Sequence, residues 1–161
     1  MSFDVDRLLR LRLEPLPDDA AEAAFRELYN DPVSINGEPI GILELVARAR
    51  TLQAAIEWPN LRVLSVVDGG SKVTVVYRLQ GRQVGPLESS VGLVRPTGRV
   101  VELRTIEVLT IAGGRVREIW TVANELGALA AVDAVWLQVE GTTNDGGDPD
   151  YKPWEHETSA V

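Results

Sequence analysis

Residues 99–133, RVVELRTIEVLTIAGGRVREIWTVANELGALAAVD, decide the fold. β-Branched residues dominate two arms on either side of Ala112-Gly113-Gly114, and glycines supply a tight turn, so the stretch predicts a β-hairpin followed by a short helix. On the first arm Val101, Leu103, Thr105, Glu107, Leu109 and Ile111 alternate onto one face. A carboxylate among aliphatic neighbours is costly to bury unpaired, so it either faces a polar pocket or pairs with a cation such as Arg78 or Arg117. Glu107 is therefore the leading candidate for chemistry. Turn length fixes what it faces: a two-residue Gly113-Gly114 turn sets it opposite Trp120, whereas a three-residue turn sets it opposite Ile119, with Thr121 on the same face.

Upstream of the hairpin, Leu61 to Val67, Val73 to Val84 and Val91 to Val94 read as strands. In the second of these, Val73, Val75, Tyr77, Leu79 and Gln83 share the inward face. Before them come helices. Ile42, Leu45, Val46, Ala49, Leu52 and Ile56 recur at three and four residues, with Pro59 as the stop, and Ala21, Phe25 and Leu28 form a second stripe. Asp19 with Glu22 has the spacing of a capping box for that helix. Residues 3–13 fit both an edge strand, through the alternation of Leu9 to Leu13, and a capped helix beginning near Asp4. Asn30 to Pro39 carries Asp31-Pro32 and Asn36-Gly37 and reads as a loop or a bent strand. Helices first and a meander of strands afterwards give an α+β order.

The 161 residues, 45% of them apolar, suit one domain, placed at 1–140. From Glu140 onward six acids face one lysine, so 141–161 reads as an acidic, flexible tail holding Tyr151, Trp154 and the single histidine, His156. The absence of cysteine excludes disulfides, thiolate metal sites and a cysteine nucleophile. With a net charge of −8 and no basic stripe, no nucleic-acid partner is expected. No apolar run has membrane-spanning length and no leader is evident, so a cytoplasmic protein without a membrane partner is expected. Phosphate-loop, zinc-protease, nucleophile-elbow and dinucleotide motifs are absent, and no cofactor or metal is expected.

The segments LYNDPVSINGEPI (28–40), VYRLQGRQVGPL (76–87) and TGRVVELRTIEVLTIAGGRVREIWTVANELGALAAV (97–132) resemble, in order and spacing, the SnoaL-like polyketide cyclases. The resemblance implies a nuclear transport factor 2-like fold: a cone-like curved mixed sheet packed against N-terminal helices around an apolar pocket. It implies a cofactor-independent enzyme of secondary metabolism, a polyketide-type cyclase acting on an apolar, oxygenated small molecule by general acid/base catalysis, and a homodimer. An apolar pocket suits such chemistry because it moves carboxyl pKa values toward neutrality.

By this resemblance Glu107 is the acid/base residue, and Asn36, Tyr77, Gln83, Ile119, Thr121 and Asn124 line the substrate site. It also favours the three-residue turn, which gathers these residues on one face. Many relatives place an aspartate where Thr121 stands and often where Asn124 stands, and a threonine cannot serve as a general acid or base at neutral pH. Epoxide opening or isomerisation on the same scaffold, and a non-catalytic dimeric protein holding a hydrophobic ligand, are the alternative readings. Trp58 is read as core or interface, and Trp120 as part of a dimer contact on the sheet face opposite the pocket.

Overall fold

The computed structural model describes residues 2–136. Two helices open the chain, α1 (Val5–Leu13) and α2 (Asp18–Leu28), followed by β1 (Tyr29–Ile35), β2 (Glu38–Ile40) and α3 (Ile42–Ala55). Then come β3 (Ile56–Asp68), β4 (Lys72–Gln83), β5 (Leu87–Ser89), β6 (Gly92–Val94), β7 (Val100–Ala112), β8 (Arg115–Ala123) and α4 (Glu125–Ala131). Six strands form one mixed sheet in the order β2-β1-β8-β7-β4-β3, with β1 parallel to β8 and every other pair antiparallel. The expected α+β architecture, with helices laid on one face of the sheet, is the one observed. The proposed tail at 141–161 lies outside the described residues, and no described helix is long and apolar enough to cross a membrane.

Residues 5–13 are helical, which resolves the ambiguity of the N-terminus. The Asp4 carboxylate accepts from the Arg7 backbone N–H, and Val5, Leu8 and Leu9 are buried at helical spacing. Asp19 does not cap α2. The cap position is Pro17, whose carbonyl accepts from Ala20 and Ala21, and the acids at 18 and 19 sit in the first turn, where the positive end of the helix dipole favours them. The Asn30–Pro39 segment is a hairpin of β1 and β2 turning at Asn36 (φ 50°) and Gly37 (φ 89°). β3 begins at Ile56, so the helix stops before Pro59, which lies instead in a bulge where β3 carries an extra residue opposite β4.

The central hairpin also differs from expectation. Its turn is the two-residue Gly113-Gly114, with Ala112 opposite Arg115, yet Glu107 does not face Trp120. Val116 pairs with Ile111 and Glu118 with Thr110, which leaves Arg117 as an extra, bulged residue. The shift brings Thr121 opposite Glu107, and Ile119 opposite Leu109. Thr121, Ile119 and Glu107 therefore share the inner face through a bulge and not through a longer turn.

The main core lies between that inner face and the helices: Leu8, Leu9, Phe25, Leu28, Tyr29, Leu45 and Ala49 against Val73, Val75, Leu109, Val116 and Ile119. A second cluster of Ala55, Ile56, Leu87, Val101, Ala128 and Val132 fastens α4 to the far end of the sheet.

Candidate active site

Between the sheet and the three N-terminal helices lies a cavity of about 180 Å³. Phe25, Leu45, Ala49 and Leu52 of α2 and α3 form one wall, with Ile35 of β1 and Ile119 of β8 across from them. Its polar lining is Arg12, Tyr29, Glu107 and Thr121, and Arg48 stands at the solvent side in an i,i+4 pair with Glu44.

Glu107 is 4% exposed and projects from the middle of β7. Its Oε1 accepts two hydrogen bonds, from Arg12 Nη1 at 2.7 Å and from the Tyr77 hydroxyl at 2.9 Å. Its Oε2 is buried and has no hydrogen-bond partner. The cation is thus Arg12 of α1, and neither of the arginines expected from the sequence. Arg78 lies near Glu102 at 3.9 Å, and Arg117 is exposed on the bulge.

Arg12 also donates through Nε to the Tyr29 hydroxyl at 2.9 Å, so Tyr29, Arg12, Glu107 and Tyr77 form one connected chain. Burial works against the charge of Arg12. The adjacent Glu107 carboxylate, followed by the two tyrosine oxygens, outweighs it and raises the guanidinium well above its ordinary pKa. Both phenols are raised as well, Tyr29 and Tyr77 chiefly by burial, with Glu107 adding and Arg12 opposing. They stay neutral donors and acceptors across the ordinary pH range.

Of the candidates read from the sequence, Glu107, Thr121 and Ile119 line the cavity, and Tyr77 reaches it through its bond to Glu107. The other three stand elsewhere and have structural work. Asn36 donates through Nδ2 to the Thr121 carbonyl at 3.2 Å and accepts from the Thr121 N–H at 2.8 Å, so its side chain continues the β1–β8 ladder one step beyond the strand. Gln83, fully buried, donates to the carbonyl of Arg95 at 3.1 Å and accepts from the Thr97 hydroxyl at 2.9 Å, which ties the β6–β7 connection to β4. Asn124 accepts from the Arg104 N–H at 2.7 Å and stands at the start of α4.

The sequence reading missed Arg12 and Tyr29. A signal for Arg12 exists once 5–13 is taken as a helix, because Val5, Leu8, Leu9 and Arg12 fall at i, i+3, i+4 and i+7 on the buried stripe. Among the described residues no three His, Asp or Glu side chains converge in a way that could hold a metal ion.

Known proteins place this site in context. The sequence model of the SnoaL-like polyketide cyclases matches residues 8–132, which include every residue of the Glu107 network. No curated protein matches the chain. Among solved structures, a candidate SnoaL-like polyketide cyclase from Jannaschia sp. CCS1 is 25% identical, with a TM-score of 0.63 over 81% of this chain and 92% of that one. TsrD from Streptomyces laurentii is 20% identical, with a TM-score of 0.64 over 83% of this chain and 99% of its own. A SnoaL-like polyketide cyclase from Agrobacterium tumefaciens is 15% identical, with a TM-score of 0.62 over 79% and 91%. These likenesses are likenesses of fold, and the family match spans most of the sequence. The chain belongs to the SnoaL-like polyketide cyclase family.

Proposed function

We propose that the protein is a small-molecule enzyme of the cyclase type in which Glu107 moves a proton at an apolar, oxygenated substrate. One observation carries the reading: a buried carboxylate lines a cavity with one oxygen held by Arg12 and Tyr77 and the other without a partner. Arg12 and Tyr77 hold the Glu107 carboxylate in place, and that carboxylate is the group from which a proton is given or to which it is passed. The hydroxyl of Thr121, opposite Glu107 in the ladder, supplies a hydrogen bond to a substrate oxygen and no acid/base function. The reaction first in line is an aldol-type cyclisation, in which Glu107 takes the proton from a carbon next to a carbonyl, that carbon bonds to a second carbonyl carbon of the same molecule as its C=O π bond opens, and the proton passes to the resulting alkoxide oxygen; no cofactor enters the proposed step.

A non-catalytic ligand-binding role is the second reading, favoured by the pairing of Glu107 with Arg12, which gives the carboxylate a structural purpose of its own. Glu107→Gln separates the two. Lost turnover with retained ligand affinity supports proton transfer, and unchanged turnover removes Glu107 from the mechanism.

We also propose that the protein works as a homodimer through the outer sheet face. Ile106, Trp120 and Val122 are about half exposed or more there, and Ile106 pairs with Val122 across the ladder to make a continuous apolar strip.

A further inference from the structure

We infer that the ligand of the Glu107 cavity carries a carboxylate on an apolar body, and that Arg48 binds this carboxylate at the mouth of the cavity. The inference rests on reading the cavity as the substrate site and names the class of molecule it takes. Placement is the first argument. Leu45, Arg48, Ala49 and Leu52 line the cavity from one face of α3, at the i, i+3, i+4 and i+7 positions of a single helical stripe. An arginine in that stripe lays its methylene stem along the apolar wall and keeps its head at the opening, and the Arg48 side chain is 46% exposed.

Charge is the second argument. Three charged residues line the cavity, Arg12, Arg48 and Glu107. Arg12 and Glu107 pair with each other at the buried end, which leaves Arg48 as the charge open to an incoming molecule. Its Nε and Nη2 both donate to Glu44 Oε1, at 3.1 and 2.6 Å, and Nη1 has no acceptor among the described residues. Glu44 lies outside the cavity lining, and an exposed i,i+4 pair holds a guanidinium only weakly. With five donors in a plane, the guanidinium can take a second carboxylate without releasing the first. The rest of the lining keeps an anion at that end. Next to Glu107 it would meet like charge, and Phe25, Ile35, Leu45, Leu52 and Ile119 offer its oxygens no side-chain donor.

Calorimetric titration with octanoate, methyl octanoate and octylamine tests this, since the three share an apolar chain and differ in charge at one end. Octanoate is expected to bind at least about tenfold more tightly than either of the others. The net charge of −8 repels anions at long range, so a preference of that sign is local. Arg48→Gln should bring octanoate to within about twofold of methyl octanoate and leave the ester's affinity where it was. Arg50→Gln, the same loss of charge at a residue outside this cavity's lining, should leave the preference intact. Equal affinity for octanoate and its ester, a preference that survives Arg48→Gln, one lost equally in Arg50→Gln, or no octanoate binding at all overturns the inference. Unchanged turnover in Glu107→Gln overturns the catalytic reading instead, and no titration here measures turnover, so the two fail separately.

Discussion

Arg12 and Glu107, 95 residues apart in the chain, meet at 2.7 Å at the buried end of the cavity. The pair fastens α1 to β7 and occupies Oε1, while Oε2 is buried without a hydrogen-bond partner.

Removal of the cation should therefore be costly. Arg12→Ala leaves the Glu107 carboxylate without its counter-charge, and a loss of about 3–5 kcal/mol is expected for breaking such a buried pair. Arg12→Met combined with Glu107→Leu removes both charges at similar volume and should recover most of that loss. Urea unfolding of the two variants checks the comparison, and a double variant no more stable than Arg12→Ala would refute the buried-pair account.

Stability should fall at alkaline pH. Tyr29 and Tyr77 are raised in the folded state, so above the unfolded phenol pKa of about 10 the unfolded chain loses protons that the folded chain retains. Their contribution is complete below that pH and is lost as pH rises through the folded values. Melting temperature followed from pH 8 upward should decline beyond pH 10, and Tyr77→Phe should decline less steeply over the same range.

Asn36 should matter for stability through its two bonds to Thr121 and through its backbone. Asn36→Gly keeps the positive φ and loses only the bonds, for an expected cost of about 1–2 kcal/mol. Asn36→Ala adds the left-handed penalty of about 1 kcal/mol. Equal stability of the two variants by thermal melting would show that the turn conformation contributes nothing.

Gly85 stands against α3. A Cβ there would lie 2.7 Å from the Ala54 carbonyl oxygen and 3.1 Å from the Ala55 Cα, both of them backbone atoms. Gly85→Ala should cost at least about 1–3 kcal/mol, the usual range for overpacking, read as a lowered urea midpoint.

The outer face can be tested by charge. Trp120→Glu leaves the inner lining alone and should convert a sedimenting dimer into a monomer at micromolar concentration. A wild-type monomer under those conditions would remove the dimer proposal.

Much of this fold was legible because local pattern and tertiary packing agree. The stripe of α3, the alternation of β4 and the placing of Glu107 on the inner face of β7 all follow from period alone. What escaped depended on distant partners or on a broken period. Leu9 to Leu13 alternates like a strand, and helix wins there through the Asp4 cap and the burial of Val5, Leu8 and Leu9 against other elements. In β8 the inward residues Val116 and Ile119 are three apart, a spacing that no strict alternation predicts. Asn36, Gln83 and Asn124 have the chemistry of ligand-binding residues, and only their bonding partners reveal them as braces for the backbone.

The bulged Arg117 has a counting consequence. An unbroken antiparallel ladder closed by a two-residue turn encloses an even number of residues, whereas the span between Glu107 and Thr121 is odd. Reabsorbing the bulge would slide the indole of Trp120 to the position facing the carboxylate and turn the threonine to solvent. Parity in this one hairpin is thus a heritable switch, and a single-codon insertion or deletion beyond the bulge is the shortest mutational route to an interior with a different appetite.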